Sequence, residues 1–421
     1  MDELSLGCVV VGAGPAGLAA AVNAAESGLR VAVVDENDRT GGQIWRSSRG
    51  ALHPNAVRWL ERADRAGVRF IAKATVLGRN RSDEIEVVSG DRPFRIKTES
   101  VILATGGREL FLPFPGWTLP GVTGVGGLQA LVKGGLDIRG KDIVIAGSGP
   151  LVPAVAAELK RRGATVNAVA EQADFVRILS FGLKLARHPR KLLQALQLGF
   201  TLRGVPHHFS CWPSRAEGTD RVQRVVLSGK RGTVTIPCDF LASSFGLIAN
   251  TRLARLLGCS VDDRGIVVDE DQMTDVPGVY AAGECTGIGG VDVALVEGAV
   301  AGMAVVGRVD DARRLFRRRS VEQRFAAALE GSFALRRDVL QAVEDSTVVC
   351  RCEDVRWADL KDRESWRSAK LMTRVGMGPC QGRVCGAALC RLKGWTDPTP
   401  RPPLQPVPLA ALTSSGQLLP R

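Results

Sequence analysis

The chain has 421 residues, 45% of them apolar and 24% charged; at ~150 residues per domain this predicts two or three domains and excludes general disorder. No apolar run approaches the ~20 residues that span a bilayer, so no transmembrane segment is expected. Met1-Asp2-Glu3 is acidic where a secretory signal is basic, which reads as a cytosolic protein. The charge of +12 (56 basic less 44 acidic residues) does not point to nucleic acid: arginines are scattered apart from Arg313, Arg314, Arg317, Arg318 and Arg319, and a single tyrosine leaves no basic–aromatic interleaving to stack bases.

The chain opens with a strand–glycine turn–helix–strand unit. Cys8 to Val11 is apolar strand, Gly12-Ala13-Gly14-Pro15-Ala16-Gly17 is the turn, an alanine-rich helix follows, and Val31 to Val34 leads to Asp35-Glu36. This is G-x-G-x-x-G in the context a dinucleotide needs. Gly12 permits the tight turn, Gly14 lets the backbone reach a pyrophosphate, and Gly17 lets helix and strand pack closely. The helix N-terminus offers free N–H groups to the phosphates. Asp35, or Glu36 in its place, is positioned to accept hydrogen bonds from an adenosine ribose. Further on, Val101-Ile102-Leu103-Ala104-Thr105-Gly106-Gly107 reads as a buried strand ending in a glycine turn.

A second copy of the unit follows. Asp142 to Ala146 is strand, Gly147-Ser148-Gly149-Pro150-Leu151-Val152 is the turn, and Val166 to Ala170 leads to Glu171. Val152 replaces the third glycine, which loses close helix–strand packing and counts against a bound nicotinamide cofactor. An empty fold, one holding another adenine nucleotide and one holding NAD(P) all stay open. Phe175 to Phe200 carries Leu and Ile at helical spacing among Lys184, Arg187, Arg190 and Lys191. Such a helix can lie on a membrane, but Gly182 and Pro189 interrupt it, and the reading adopted is a surface or subunit-contact helix. His207 and His208 are adjacent, make a poor metal pair and read as structural. Gly278 to Glu284 is another strand ending in an acid.

Five of the ten cysteines, Cys350, Cys352, Cys380, Cys385 and Cys390, lie close together in the sequence. Four thiolates in two close pairs can hold zinc or an iron–sulfur cluster, and the tight C-x-C pair argues against zinc. Gly376, Gly378, Gly382 and Gly386 free backbone N–H groups to approach sulfur. Cys390 reads as a spare, buried thiol. Pro398 to Pro408 is proline-rich and reads as an extended strap. No C-x-x-C occurs anywhere, nor any Ser–His–Asp pattern, so no catalytic residue is assigned.

The fingerprint, Val101 to Gly107 and Gly278 to Glu284 together resemble the two-dinucleotide-domain flavoprotein reductases. The resemblance implies an α/β fold of two dinucleotide-binding, Rossmann-like domains of the glutathione-reductase type. It implies FAD held by Gly12, Ala13, Gly14, Ala16, Gly17, Asp35, Glu36, Gly42, Gln43, Ala104, Thr105, Gly106, Gly283, Glu284 and Gly290. Glu284 stands where that family usually has Asp and implies a contact to the ribityl chain, and Gly41-Gly42-Gln43-Ile44 matches the loop beside the flavin. The segments V-C-R-C-E-D from Val349 and G-M-G-P-C-Q-G-R-V-C-G from Gly376 resemble the bacterioferritin-associated-ferredoxin-like module. That implies a small C-terminal helical module with [2Fe–2S] on Cys350, Cys352, Cys380 and Cys385.

The order of these parts, with Pro115 to Val122 and Arg401 to Leu409, resembles the alpha subunits of heteromeric amino-acid dehydrogenases, which include D-hydroxyproline dehydrogenase, opine oxidases, hydrogen cyanide synthase and proline dehydrogenase complexes. In that family a separate, oxidase-like beta subunit oxidises the substrate, and the alpha subunit relays electrons, often with a small ferredoxin-like gamma subunit. Compact length and a short cysteine spacer favour the hydroxyproline or proline type. The resemblance implies an FAD domain at residues 1–110 and 246–310 and a degenerate nucleotide domain at 111–245. A helical connector at 311–344, the cluster module at 345–395 and a proline-rich strap at 396–421 complete the division. The expected location is cytoplasmic, with peripheral membrane association through a complex. The rival readings are a stand-alone NAD(P)H-dependent FAD/iron–sulfur reductase and a flavin-binding scaffold subunit.

Overall fold

A computed structural model describes residues 3–45, 53–81, 83–186, 188–396 and 400–409. These fall into two compact units. One draws on Met1–Arg108, Ile248–Ala327 and Thr399–Arg421, the other on Glu109–Leu247 and Ala328–Pro398. The cysteine-bearing segment therefore belongs to the same unit as the second glycine turn.

In the first unit, β1 (Glu3–Val11), α1 (Pro15–Ala25) and β2 (Val31–Val34) form the expected nucleotide-binding start. β1 pairs in parallel with β2 on one side and with Arg92–Leu103 on the other, in the register Val9 with Val101 and Val11 with Leu103. Val279–Ala281 adds a further parallel strand, with Ala281 opposite Leu103. The Val-rich runs are buried on both faces, one against the helices around α1 and the other against Val76, Ile85 and Val87 of the antiparallel strands. An antiparallel extension, Ala74–Arg81 with Glu84–Ser89, continues from Arg92–Leu103 and had no motif to announce it.

Alanine and glycine make α1 thin enough for helix Gly290–Val305 to pack against its backbone. A Cβ on Gly298 would lie 2.2 Å from the Ala16 carbonyl oxygen, and one on Gly302 2.3 Å from that of Ala20. In the proline-rich tail, buried Leu404 donates its N–H to the Leu77 carbonyl (3.0 Å), and Val407 packs on Leu77 and Val88. The residues after 409 lie outside those described.

The second unit repeats the theme with β3 (Asp142–Gly147), α2 (Leu151–Arg161) and β4 (Thr165–Glu171). Its parallel sheet runs His207–Phe209, β4, β3, Phe240–Ser244, Val122–Thr123. His207 lies on the edge strand, its Nδ1 2.8 Å from the Val205 carbonyl oxygen. A three-stranded antiparallel sheet, Cys211–Glu217, Arg224–Gly229 and Gly232–Pro237, accompanies it.

Between β4 and His207 lie α3 (Phe175–Leu185) and α4 (Pro189–Thr201). Pro189 separates them because it supplies the fixed φ and missing N–H suited to the first helical position. Gly182 sits inside α3 without breaking it. The cysteine-bearing segment pairs Val348–Cys350 with Val355–Arg356 and adds helices Trp366–Thr373 and Cys385–Lys393 around Val349, Leu360, Trp366, Val375 and Leu389. Among the described residues no helix is long and apolar enough to cross a membrane.

Candidate functional site

The first glycine turn is a cradle whose size is set by backbone. Gly12 has φ +110°, and a Cβ there would lie 2.3 Å from the Ala104 carbonyl oxygen. A Cβ on Gly17 would lie 1.8 Å from the Gly12 oxygen. Gly14 differs: the nearest atom to its Cβ position is Gly42 Cα at 3.8 Å, so the space in front of it is open. Gly14 caps α1 without a side-chain partner and α1 has no acid in its first turn, which leaves its N–H groups available to phosphate. The loop carrying Gly41 and Gly42 is tied on by the Gly41 N–H to the Ala13 carbonyl (2.8 Å), while Gln43 is exposed.

Asp35 does something the sequence did not disclose. Its carboxylate accepts the Ala13 N–H at 2.6 Å and the Asn37 N–H and Nδ2–H at 2.8 Å each, so it braces the turn from behind. Glu36 is exposed and accepts from Gln405 Nε2 at 3.4 Å. At the far strand, Thr105 Oγ1 donates to the Asn250 carbonyl (2.7 Å), Asn250 Nδ2 donates to the Thr105 carbonyl (3.0 Å), and the Asn250 N–H donates to the Gly106 carbonyl (2.9 Å).

Gly283, at φ +82°, abuts Ala16, its Cβ position 2.6 Å from that of Ala16. The Gly283 N–H donates to Glu297 Oε2 (3.0 Å), and Thr286 Oγ1 and Gln323 Nε2 also donate to the Glu297 carboxylate (3.0 Å each). Burial raises the Glu297 carboxyl, and these donors offset part of that rise. Burial also raises Glu284, against a hydrogen bond from the Gly290 N–H at the start of its helix. Asn250, Glu297, Gly298 and Gly302 escaped the sequence reading, since only the fold brings them to the cradle. The glycines that no side chain can replace, the opening at Gly14 and the bare α1 N-terminus fit a dinucleotide such as FAD.

The second turn has the same backbone and a different use. Gly147 has φ +145°, and a Cβ there would lie 1.7 Å from the Ser244 carbonyl oxygen; Gly149 has φ +92° and nothing within 4 Å of its Cβ position. Val152 is fully buried in the α2 core. Glu171 is buried and accepts from the Gly149 N–H (2.8 Å), Ser148 Oγ (2.9 Å) and the Ala173 N–H (2.9 Å). Burial raises its pKa, partly offset by these donors. Gln172, also buried, donates from Nε2 to Ser148 Oγ (2.9 Å), the Ala334 carbonyl (3.1 Å) and the Phe333 carbonyl (3.3 Å), and accepts the Arg336 N–H (3.0 Å). The acid at the end of β4 and the polar groups behind the turn are thus satisfied by the chain itself.

The fold pairs the four cysteines two by two, across the intervening segment. Cys352 Sγ and Cys380 Sγ are 3.7 Å apart, and the Cys350 and Cys385 thiols are hydrogen-bonded. Cys350 and Cys385 are buried, Cys380 is half-buried and Cys352 exposed. The Cys385 thiol, then the N–H groups of Gly376, Glu353 and Cys352, hold Cys350 down to about 6 against its burial. Cys385 is raised by its Cys350 neighbour and by burial. A Cβ on Gly378 would lie 2.3 Å from Cys352 Cβ, so this glycine is what admits the Cys352 side chain.

Among the described residues no three His, Cys, Asp or Glu side chains converge as a preformed metal-ion site; the thiols stand as two pairs. As a donor set, four sulfurs with backbone N–H groups aimed at one of them fit a thiolate-bound cluster. Cys390, read as a buried spare, is half-buried instead, on the same helix as Cys385.

Residues 7–302 match the profile described as Pyridine nucleotide-disulphide oxidoreductase, and the chain belongs to this family of flavin-dependent oxidoreductases. Within that class it is similar over nearly its full length to subunits of two multisubunit enzymes. It is 31% identical to hydrogen cyanide synthase subunit HcnB of Pseudomonas aeruginosa, over 98% of this chain and 99% of that one. It is 30% identical to an opine oxidase subunit from Rhizobium meliloti, over 91% and 81%. In fold it matches L-proline dehydrogenase from P. horikoshii, with TM-score 0.70, 19% identity, 98% of this chain and 80% of that one covered.

Proposed function

We propose that the chain is the electron-transferring FAD/[2Fe–2S] alpha subunit of a heteromeric dehydrogenase, with an amino or imino acid oxidised on a separate oxidase-like beta subunit. The observation that carries this is a flavin cradle and two pairs of thiols in a chain without a C-x-x-C pair. Reductases of this fold commonly pass electrons from flavin to such a pair, and here the paired thiols belong to the second unit. A small ferredoxin-like gamma subunit fits the same reading.

Each part of the chain has a stated task. Gly12, Gly14 and Gly17 with the α1 N-terminus hold the pyrophosphate. Asp35 braces that turn through Ala13, and Glu297 holds the Gly283–Glu284 turn in place. Cys350, Cys352, Cys380 and Cys385 hold the cluster. FAD accepts electrons in pairs or singly and [2Fe–2S] carries them singly, so the two together suit a relay. The self-satisfied second turn weighs against NADH as the donor and against an adenine nucleotide resident there.

Anaerobically purified protein should release FAD on denaturation and contain two irons and two acid-labile sulfides per chain, with Cys352→Ser losing most of the iron and Cys390→Ser retaining it. Stoichiometric zinc without iron would overturn the cluster assignment. Co-expression with an adjacent oxidase-like subunit should give dye-linked dehydrogenase activity, tried first on D-hydroxyproline and proline. The isolated chain should show none, and rapid flavin reduction by NADH would overturn the relay.

A further inference from the structure

We propose that the α3–α4 hairpin docks the protein on the surface of an anionic lipid bilayer. On α3, at about 100° per residue, Phe175, Val176, Leu179 and Leu183 share one side, and they are 56%, 73%, 56% and 74% exposed. Phe181 and Leu185, on the other side, are the residues that anchor the helix to its unit. On α4, Leu193, Leu196 and Phe200 follow the i, i+3, i+7 pattern of one helical face and are 57%, 63% and 78% exposed, and none of the residues of α4 is buried. The Phe175 ring meets that of Phe209 at 5.4 Å, which extends the crest. Isolated exposed leucines need no explanation, but a stripe of large apolar side chains on each of two successive helices does.

The charge of the hairpin selects the occupant. From Phe175 to Thr201 the sequence has Arg177, Lys184, Arg187, Arg190 and Lys191 and no Asp or Glu. The acid just before it, Asp174, is engaged as the α3 cap, accepting the Arg177 N–H at 2.9 Å, and as the ion-pair partner of Arg177 at 3.6 Å. An apolar crest in a segment whose charges are all cationic matches the boundary between acyl chains and anionic headgroups, where the crest leaves water and cations meet phosphates. Neither helix is long or apolar enough to cross, so the hairpin lies in the interface. This inference does not depend on the flavin or the cluster.

The test is sedimentation of the full-length, flavin-loaded protein with vesicles of phosphatidylcholine alone and of an equal phosphatidylcholine–phosphatidylglycerol mixture. The wild type should bind the mixed vesicles, bind phosphatidylcholine far less, and be weakened by salt. Leu179→Ser/Leu183→Ser/Leu196→Ser/Phe200→Ser and Lys184→Glu/Arg190→Glu/Lys191→Glu should each lower binding to mixed vesicles at least about tenfold with flavin content unchanged. Phe200→Trp in the otherwise unaltered chain gives a second reading that survives poor folding of the quadruple variant: its fluorescence should be quenched by brominated acyl chains. Absence of binding to mixed vesicles overturns the proposal, as does equal binding by the variants. So does loss, in the variants, of self-association or of a co-expressed partner without vesicle binding by the wild type, which would make the hairpin a protein interface.

Discussion

The two dinucleotide turns share a backbone and diverge in what their acids do. In both, a carboxylate at the end of the second strand reaches the turn: Asp35 to the Ala13 N–H, Glu171 to the Gly149 N–H. Asp35 is partly exposed, the turn it braces is open at Gly14, and the helix that follows packs through bare glycine. Glu171 is buried, Val152 fills the helix–strand contact, and the carbonyls of Phe333 and Ala334 occupy the partners of Gln172. The same turn backbone thus accommodates an acid that is partly exposed in one copy and buried in the other. The turn motif specifies a shape, and the residues around the acid set how far that acid is exposed.

The comparison can be broken most severely at Gly17. Its Cβ position collides with backbone, so Gly17→Val should cost about 3 kcal/mol and give protein without flavin, seen by absorbance and thermal melting. The converse exchange, Val152→Gly, should cost about 2–3 kcal/mol through the cavity and the glycine in a helix. It should create no NADH binding by fluorescence titration, because Glu171 and Gln172 remain engaged; tight NADH binding would show that Val152 alone closes the site. Gln172→Ala removes the hydrogen bonds of a buried amide to Ser148, Phe333, Ala334 and the Arg336 N–H and should cost about 2 kcal/mol, read by urea unfolding.

A pH series sharpens the contrast further. Burial raises the Glu171 carboxyl, so just above the ordinary carboxylate range the unfolded chain has released a proton that the folded chain keeps. Stability from this group therefore falls as pH rises through that window. Glu171→Gln should flatten the slope, and an unchanged slope would remove Glu171 from the account. The smallest effect on stability is expected at Gly14, where φ is −77° and no atom lies closer than 3.8 Å to a Cβ. Gly14→Ala should stay within about 0.5 kcal/mol of wild type while retaining less FAD after gel filtration, which separates ligand approach from folding.

The sequence by itself determined both glycine turns, their flanking strands and the grouping of four cysteines. These are local demands: positive φ at Gly12 and Gly147, unbroken apolar runs for buried parallel strands, and thiol pairs close along the chain. It also marked the 175–200 stretch as basic and amphipathic, but could not say which side of each helix would face water. Glu171 turns to Ser148 and Gly149 of its own turn, while its neighbour Gln172 is tied to Phe333 and Ala334, more than 160 positions away. The approach of Gly298 and Gly302 to α1, the bracing of Gly283 by Glu297 and the membership of the cysteines in the second unit are likewise contacts between distant segments. Such contacts leave no periodicity or spacing to read, because a residue type is constrained there by what packs against it rather than by its neighbours in the chain.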